Sequence, residues 1–256
     1  MKKYLLLFSL FVCSLAAGAQ TLRGDVNEDG TVDVADITEI INIILHGGEE
    51  GDDDDEPVVT PSQPAFDSRA VDLGLSVKWA SCNVGAKVPE GYGGYYAWGE
   101  TEEKSDYSWS TYKYCDGIEN TLTKYSISSS YGTADNKTTL EPCDDVATVE
   151  WGKMWRMPTL AEQDELRNNC TWEWTTLNGV NGYRVTGPSG NSIFLPAAGI
   201  RSGSEVSFQG TYGLYWLSTL SSGDSNNAYY LYFDSIESDC GRRNRYHGHP
   251  VRPVCE

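Results

Sequence analysis

Histidine is nearly absent from this chain: only His46, His247 and His249 occur in 256 residues. None has a serine or cysteine nucleophile context, so imidazole-driven nucleophilic catalysis has nothing to build on. Basic residues are also scarce, 19 Lys and Arg against 37 Asp and Glu, which gives a net charge of −18. A chain so acidic does not neutralise phosphates, and nucleic acid is excluded as a partner. Seven cysteines occur without a single C-x-x-C pair, so neither a zinc ribbon nor a dithiol redox site is indicated. No carboxylate spacing marks a glycosidase pair. Beyond the N-terminus no apolar run is long enough to cross a bilayer. With every catalytic motif missing, the chain reads as a non-enzyme.

What is present is ordered along the chain. Lys2-Lys3, the apolar run Tyr4 to Leu15 and the small residues Ala17-Gly18-Ala19 form a secretory signal over residues 1–19, so the expected location is secreted or cell surface. Residues 21–56 carry thirteen acidic residues against the single Arg23. Part of that charge is the run from Glu49 to Glu56, which repels itself and stays solvated; with Pro57, Pro61 and Pro64 after it, residues 48–66 read as an acidic linker. Six cysteines follow, Cys82, Cys115, Cys143, Cys170, Cys240 and Cys255, enough for up to three disulfides in an oxidising compartment, with connectivity left open.

Between signal and linker lies the one motif with a sharp chemical meaning. Asp25-Val26-Asn27-Glu28-Asp29-Gly30-Thr31-Val32-Asp33-Val34-Ala35-Asp36 places oxygen-bearing residues at loop positions 1, 3, 5, 9 and 12 with glycine at 6. A calcium ion takes six to eight oxygens at roughly 2.3–2.6 Å, so Asp25, Asn27, Asp29, Asp33, Asp36 and the Thr31 carbonyl are the candidate Ca2+ ligands. Gly30 supplies the positive φ at the reversal. Ile37, Ile40, Ile41 and Ile44 then recur at helical spacing up to Gly47-Gly48, which predicts a helix with one apolar stripe. The aspartate at position 12, where an EF-hand has glutamate, resembles a dockerin repeat, and residues 20–47 are read as a dockerin-like segment. A dockerin has two such repeats; no second Asp-x-Asn-x-Asp-Gly occurs here. The resemblance implies calcium as cofactor and a cohesin-like partner.

From residue 67 onward the composition changes. All eight tryptophans and fifteen of the sixteen tyrosines lie there among short apolar runs and many glycines. Leu75 to Trp79, Tyr95 to Trp98, Gly182 to Thr186, Ser192 to Leu195, Tyr215 to Thr219, Tyr229 to Phe233 and Pro250 to Val254 read as short strands, with Gly187-Pro188-Ser189-Gly190 a hairpin turn. Thr159-Leu160-Ala161-Glu162 is a capping box that predicts a helix to about Asn169. Trp155, Pro158, Trp216 and Val251 are candidate core and turn residues, and Arg156 and Arg252 are expected to be structural arginines with several hydrogen bonds. The expected class is α+β, strand-rich with one or two helices.

Val71-Asp72-Leu73-Gly74-Leu75-Ser76-Val77-Lys78-Trp79-Ala80, Trp155-Arg156-Met157-Pro158-Thr159, Tyr215-Trp216-Leu217-Ser218 and Val251-Arg252-Pro253-Val254 resemble the Fibrobacter succinogenes major paralogous domain across residues 67–256. That resemblance implies a C-type-lectin-like fold and an exported or surface-exposed protein, with no catalytic assignment.

The tract from Ser221 to His249 is rich in Tyr, Ser, Asn, Gly and Arg, the residues recognition surfaces favour. Alternation along Tyr229 to Asp234 assigns Tyr229, Leu231 and Phe233 to the core and turns Tyr230 and Tyr232 outward. The candidate ligand surface is therefore Asp224, Asn226, Asn227, Tyr230, Tyr232, Asp239, Arg242, Arg243, Asn244, Arg245, Tyr246 and His247. His247-x-His249 is a metal pair only if both rings face one way. The leading reading is an exported binding protein for a protein or glycan ligand, carried on a calcium-binding segment. The alternatives are an accessory subunit of a polysaccharide-degrading assembly and a structural or fimbrial component.

Overall fold

A computed structural model describes residues 69–256. The expected calcium loop, the helix expected after it, the linker and the signal sequence lie outside the described residues.

The α+β class expected from the sequence does not hold. Among the described residues α-helix is confined to α1 (Val146–Trp151) and α2 (Leu160–Asn169), of 6 and 10 residues, while twelve strands fall into three antiparallel sheets and a hairpin. The fold is β-rich. The helix read from the Thr159 capping box is present as α2, α1 was not expected, and both are too short to form a layer of their own.

The first sheet joins β1 (Ala70–Val71), β2 (Lys78–Ala80), β12 (Val254–Cys255) and β3 (Trp155–Arg156), with Val254 paired to both Trp79 and Arg156. It ties the two ends of the described chain together. The second sheet is the meander β4 (Thr171–Leu177), β5 (Val180–Thr186) and β6 (Ser192–Pro196). Its first turn is Asn178-Gly179, both at positive φ of 49° and 84°, as a two-residue hairpin of primed type requires. Its second turn is the expected Gly187 to Gly190, closed by the Asn191 carbonyl accepting from the Gly187 amide at 2.9 Å. A short hairpin follows, β7 (Ile200–Ser202) and β8 (Glu205–Ser207).

The third sheet positions everything discussed below. It comprises β9 (Gly213–Leu220), β10 (Asn227–Phe233) and β11 (Ser238–Asn244), with β10 in the centre. Side chains alternate across a strand, so β9 sends Tyr215 into one core cluster, with Trp79, Tyr183 and Phe233, and Trp216 into another, with Trp98, Tyr107, Tyr112 and Tyr125. The sheet is a partition between two aromatic cores. Trp155, Trp216, Val251 and Pro158 are buried as expected.

Three of the expected strands are shorter than the sequence suggests. Tyr95 to Trp98 forms only an isolated bridge, Tyr96 to His249, because Trp98 turns to pair with the Arg245 carbonyl instead. Leu75 to Trp79 and Pro250 to Val254 reduce to β2 and β12. None of the six cysteines in the described residues is paired with another.

Candidate functional site

The capped helix α2 is a worked case of local sequence fixing local structure. Thr159 accepts a hydrogen bond from the Glu162 amide at 3.3 Å, and Glu162 accepts one from the Thr159 amide at 2.8 Å. Arg156 grips the same carboxylate with two bonds of 2.8 and 2.6 Å. Burial pushes the Glu162 carboxyl up, but the Arg156 and Thr159 hydrogen bonds outweigh it and hold its pKa below the usual carboxylate range. Arg156 is thus the paired structural arginine that was expected. Arg252 is structural too, but without an acid: it donates to Asn83 Oδ1, the Ala80 carbonyl and the Phe194 carbonyl at 2.8–3.0 Å.

The candidate ligand surface divides under the same scrutiny. Cross-strand partners share a face, and Tyr230 stands opposite Gly241, Tyr232 opposite Asp239 and Ala228 opposite Arg243. The sheet therefore brings Tyr230, Tyr232, Asp239 and Arg243 to one face and sends Arg242 to the other. A register shift between Ala228 and Tyr230 corrects the expected alternation, since Ala228 takes the core position and Tyr229 is only half-buried. Tyr230 is also less free than alternation suggests. Its ring lies over Gly241, where a Cβ would come within 2.4 Å of Tyr230 Cζ, and its edge meets the His249 ring at 5.2 Å.

Three of the named residues are not on the surface. Arg245 is fully buried. Its guanidinium donates to Tyr112 Oη at 2.9 Å, to the Tyr125 and Ser225 carbonyls at 2.8 and 3.0 Å and to the Lys124 carbonyl at 3.0 Å, and lies 4.9 Å from the Trp98 ring centre. Backbone oxygens and aromatic faces satisfy this cation where no carboxylate does, and so it pins the irregular 112–125 segment to the C-terminal tract. Asn226 is buried beneath it, donating to Asn120 Oδ1 at 2.8 Å. His247 is buried against Tyr246, with Nδ1 at 3.1 Å from the Asn244 carbonyl. Asp224 is spent locally on the Asn226 amide and the Asn227 side chain. Arg167 reaches Asp239 at 3.1 Å.

The two terminal histidines do not make a metal pair. His249 is sealed in, stacked on Trp216 at 4.0 Å with neither ring nitrogen hydrogen-bonded, while His247 serves the turn at Asn244. Burial lowers both, His247 to about 4 and His249 well below its ordinary value. Elsewhere Glu141, Cys143 and Asp144 bring potential ligand atoms within 4.8 Å of one another. Lys124 Nζ already sits 2.5 Å from both Glu141 and Asp144, so the place of a cation is filled by an ammonium. Burial raises Asp144, but hydrogen bonds from Lys124, Tyr114 and Tyr125 prevail and hold it at about 2.

A groove of about 550 Å3 runs along α1, lined by Leu140, Pro142, Cys143, Asp145, Thr148, Val149, Lys153 and Arg156. Two of its polar members, Asp145 and Arg156, are committed to structure. Asp145 caps α1 through the Ala147 and Thr148 amides and also holds the Met157 amide, and Arg156 is held by Glu162.

Beyond Tyr232 the outward face continues through rings that sequence reading did not single out, Tyr212 and Phe208. They come from the segment between β8 and β9, before the start of the tract first suspected. No linear pattern signals them.

Residues 23–60 match the dockerin type I domain. That span contains all six candidate calcium ligands, Asp25, Asn27, Asp29, Thr31, Asp33 and Asp36. No curated protein and no solved structure matches the chain. Among the described residues, no helix is long and apolar enough to cross a membrane.

Proposed function

We propose that this protein is an exported docking subunit: a calcium-loaded dockerin-like segment joins it to a cohesin-type partner of a polysaccharide-degrading assembly, and residues 67–256 are the non-catalytic recognition domain it carries. The observation that carries this reading is the match of residues 23–60 to the dockerin type I domain. The donor set supports it. Asp25, Asn27, Asp29, Asp33, Asp36 and the Thr31 carbonyl are all hard oxygens, the ligands calcium prefers, with Gly30 at the reversal. When bound, the ion would offset the mutual repulsion of four carboxylates and order the Ile37 to Ile44 stripe for contact. The signal-like residues 1–19 support export to the cell surface or medium.

The recognition reading of residues 67–256 draws on two further supports. The sequence blocks around Trp79, Trp155, Trp216 and Arg252 resemble the Fibrobacter succinogenes major paralogous domain. In the described residues Asp145 and Arg156 of the α1 groove and the two terminal histidines are taken up by packing and capping, which favours binding over catalysis.

Calorimetric titration of the chain lacking residues 1–19 tests the calcium arm. One ion should bind per chain, and Asp29→Ala should abolish the heat. Absence of heat at millimolar calcium would overturn the docking reading. Pull-down of a cohesin domain should succeed with calcium and fail with a chelator.

A further inference from the structure

Phe208 is held out into water. Its side chain is 53% exposed, and its backbone sits at φ 64°, a left-handed conformation that bulky residues rarely adopt. The position is pinned, since the Phe208 carbonyl accepts from both the Thr211 and Tyr212 amides at 3.0 Å. Exposure of an apolar ring and a strained backbone both act against stability, and strained residues cluster where a fold serves a ligand.

The ring is not alone. Phe208 and Tyr212 have centroids 5.1 Å apart, and Tyr212 and Tyr232 are 5.7 Å apart. Tyr232 is fixed in turn. Its hydroxyl donates to Asp234 Oδ2 at 2.9 Å, and Asp234 Oδ1 accepts the Ile236 and Glu237 amides at 2.8 and 3.1 Å. Three rings thus follow one another in contact, tilted by 54° and 42°, and the third comes from the central strand of the sheet. The charged groups that bear on Tyr232 are Asp234 and Glu237, both acidic, and the exposed Glu237 carboxylate has no hydrogen-bond or ion-pair partner among the described residues.

We propose that Phe208, Tyr212 and Tyr232 are a binding platform for a neutral glycan chain. The electron-rich face of an aromatic ring attracts the polarised C–H groups on the apolar side of a pyranose, and a row of rings about one sugar apart suits consecutive units of a chain. Glu237 offers acceptor oxygens to sugar hydroxyls, as bound sugars need at their polar edges. The acidic rim repels anionic polymers, and charge of this kind is what the centre of a protein–protein interface lacks. This assignment rests on reading residues 67–256 as a recognition domain and is independent of the docking segment.

The test is affinity gel electrophoresis of the chain lacking residues 1–19 through gels containing hydroxyethylcellulose, xylan or glucomannan, each with calcium or a chelator. Retardation by at least one polymer is expected, weakened at least about tenfold in Phe208→Gly and in Tyr212→Ala. Both variants should melt close to the parent. Retardation by none of the three, or retardation untouched in both variants, would overturn the platform. Loss of calcium heat with retardation intact sinks the docking reading and leaves the platform standing. Release of reducing ends from the retarding polymer sinks the non-catalytic reading and likewise leaves the platform in place.

Discussion

At one end of the β10–β11 hairpin a guanidinium is sealed away from water, and at the other a phenyl ring is held out into it. Arg245 follows β11 and is fully buried; Phe208 packs toward the Tyr232 end of β10 and is half-exposed. Each occupies the place its chemistry alone would assign to the other. Partners explain the first case. Arg245 reaches four oxygens, three of them backbone carbonyls of Lys124, Tyr125 and Ser225, and a cation so satisfied can stay buried without a carboxylate. No partner explains the second. The Phe208 ring meets Tyr212 at a tilt of 54°, and the two amides that bond its carbonyl hold the backbone in place without covering the ring. A buried polar group with complete hydrogen bonding is a device of the fold. An exposed apolar group on a strained, pinned backbone is a device for something outside it.

The largest effect expected from this contrast is at Arg245. Arg245→Ala leaves several buried acceptors unpaired and frees the 112–125 segment, at a cost of roughly 3–5 kcal/mol, read as a shift in the urea midpoint. Arg245→Lys should recover only part of it, because an ammonium cannot present the planar fork. Its exposed neighbour on β11, Arg242, sets the scale: Arg242→Ala should change stability by less than about 0.5 kcal/mol. Equal costs at the two arginines would erase the contrast.

Acid should break the same end of the hairpin next. His247 and His249 are held neutral by burial, with the Arg243 cation adding to the effect and the Asn244 carbonyl opposing it at His247. Folded, both bind fewer protons than in the unfolded chain. Stability is therefore complete above the unfolded histidine value near 6.5 and is lost as pH falls toward the folded value, about 4 for His247. Asp144, held at about 2, stays ionised in the folded chain across that window, so it adds to the slope only near pH 4, where an unfolded aspartate of about 3.9 begins to take up its proton. Denaturation midpoints at pH 7, 6, 5 and 4 should fall through this window, with the slope reduced in His249→Phe, which keeps the ring stacked on Trp216. A flat profile in the parent would remove the histidines from the argument.

The legibility of this chain follows the distance over which partners are found. The helix over Leu160–Asn169 was readable because its cap spans four residues, and the Gly187 to Gly190 turn because its closure is local. The Asn178-Gly179 hairpin was equally local and is the avoidable omission: the dipeptide flanked by Leu177 and Val180 marks β4 and β5 outright. Strand β11 was not readable, since Ser238 to Asn244 has no apolar alternation and is a strand because β10 pairs with it. Arg245 was placed on the ligand surface because it sits in a polar run, and three of its four acceptors lie 120 or more residues away in sequence. The expected α+β class failed for a related reason, as caps report where helices begin but not how little of the chain they occupy. The expected calcium loop is the opposite extreme, with all six candidate ligands inside twelve consecutive residues.

The smallest expected effect is the one that sharpens the contrast most. Phe208→Gly removes a ring pair worth about 0.5–1.5 kcal/mol and adds backbone entropy to the unfolded chain, about 0.5–1 kcal/mol. Against this it releases a left-handed conformation that costs an ordinary residue about 1–2 kcal/mol. The terms nearly cancel, so the melting temperature should stay close to the parent's. Phe233 is the proper control, for it lies one residue beyond Tyr232 on the opposite face and is fully buried among Tyr183, Tyr215 and Trp172. Phe233→Ala should cost roughly 3–5 kcal/mol. If Phe208→Gly unfolds the protein as readily as Phe233→Ala does, the exposed ring is holding the fold together after all, and the row it begins belongs to the core rather than to a ligand.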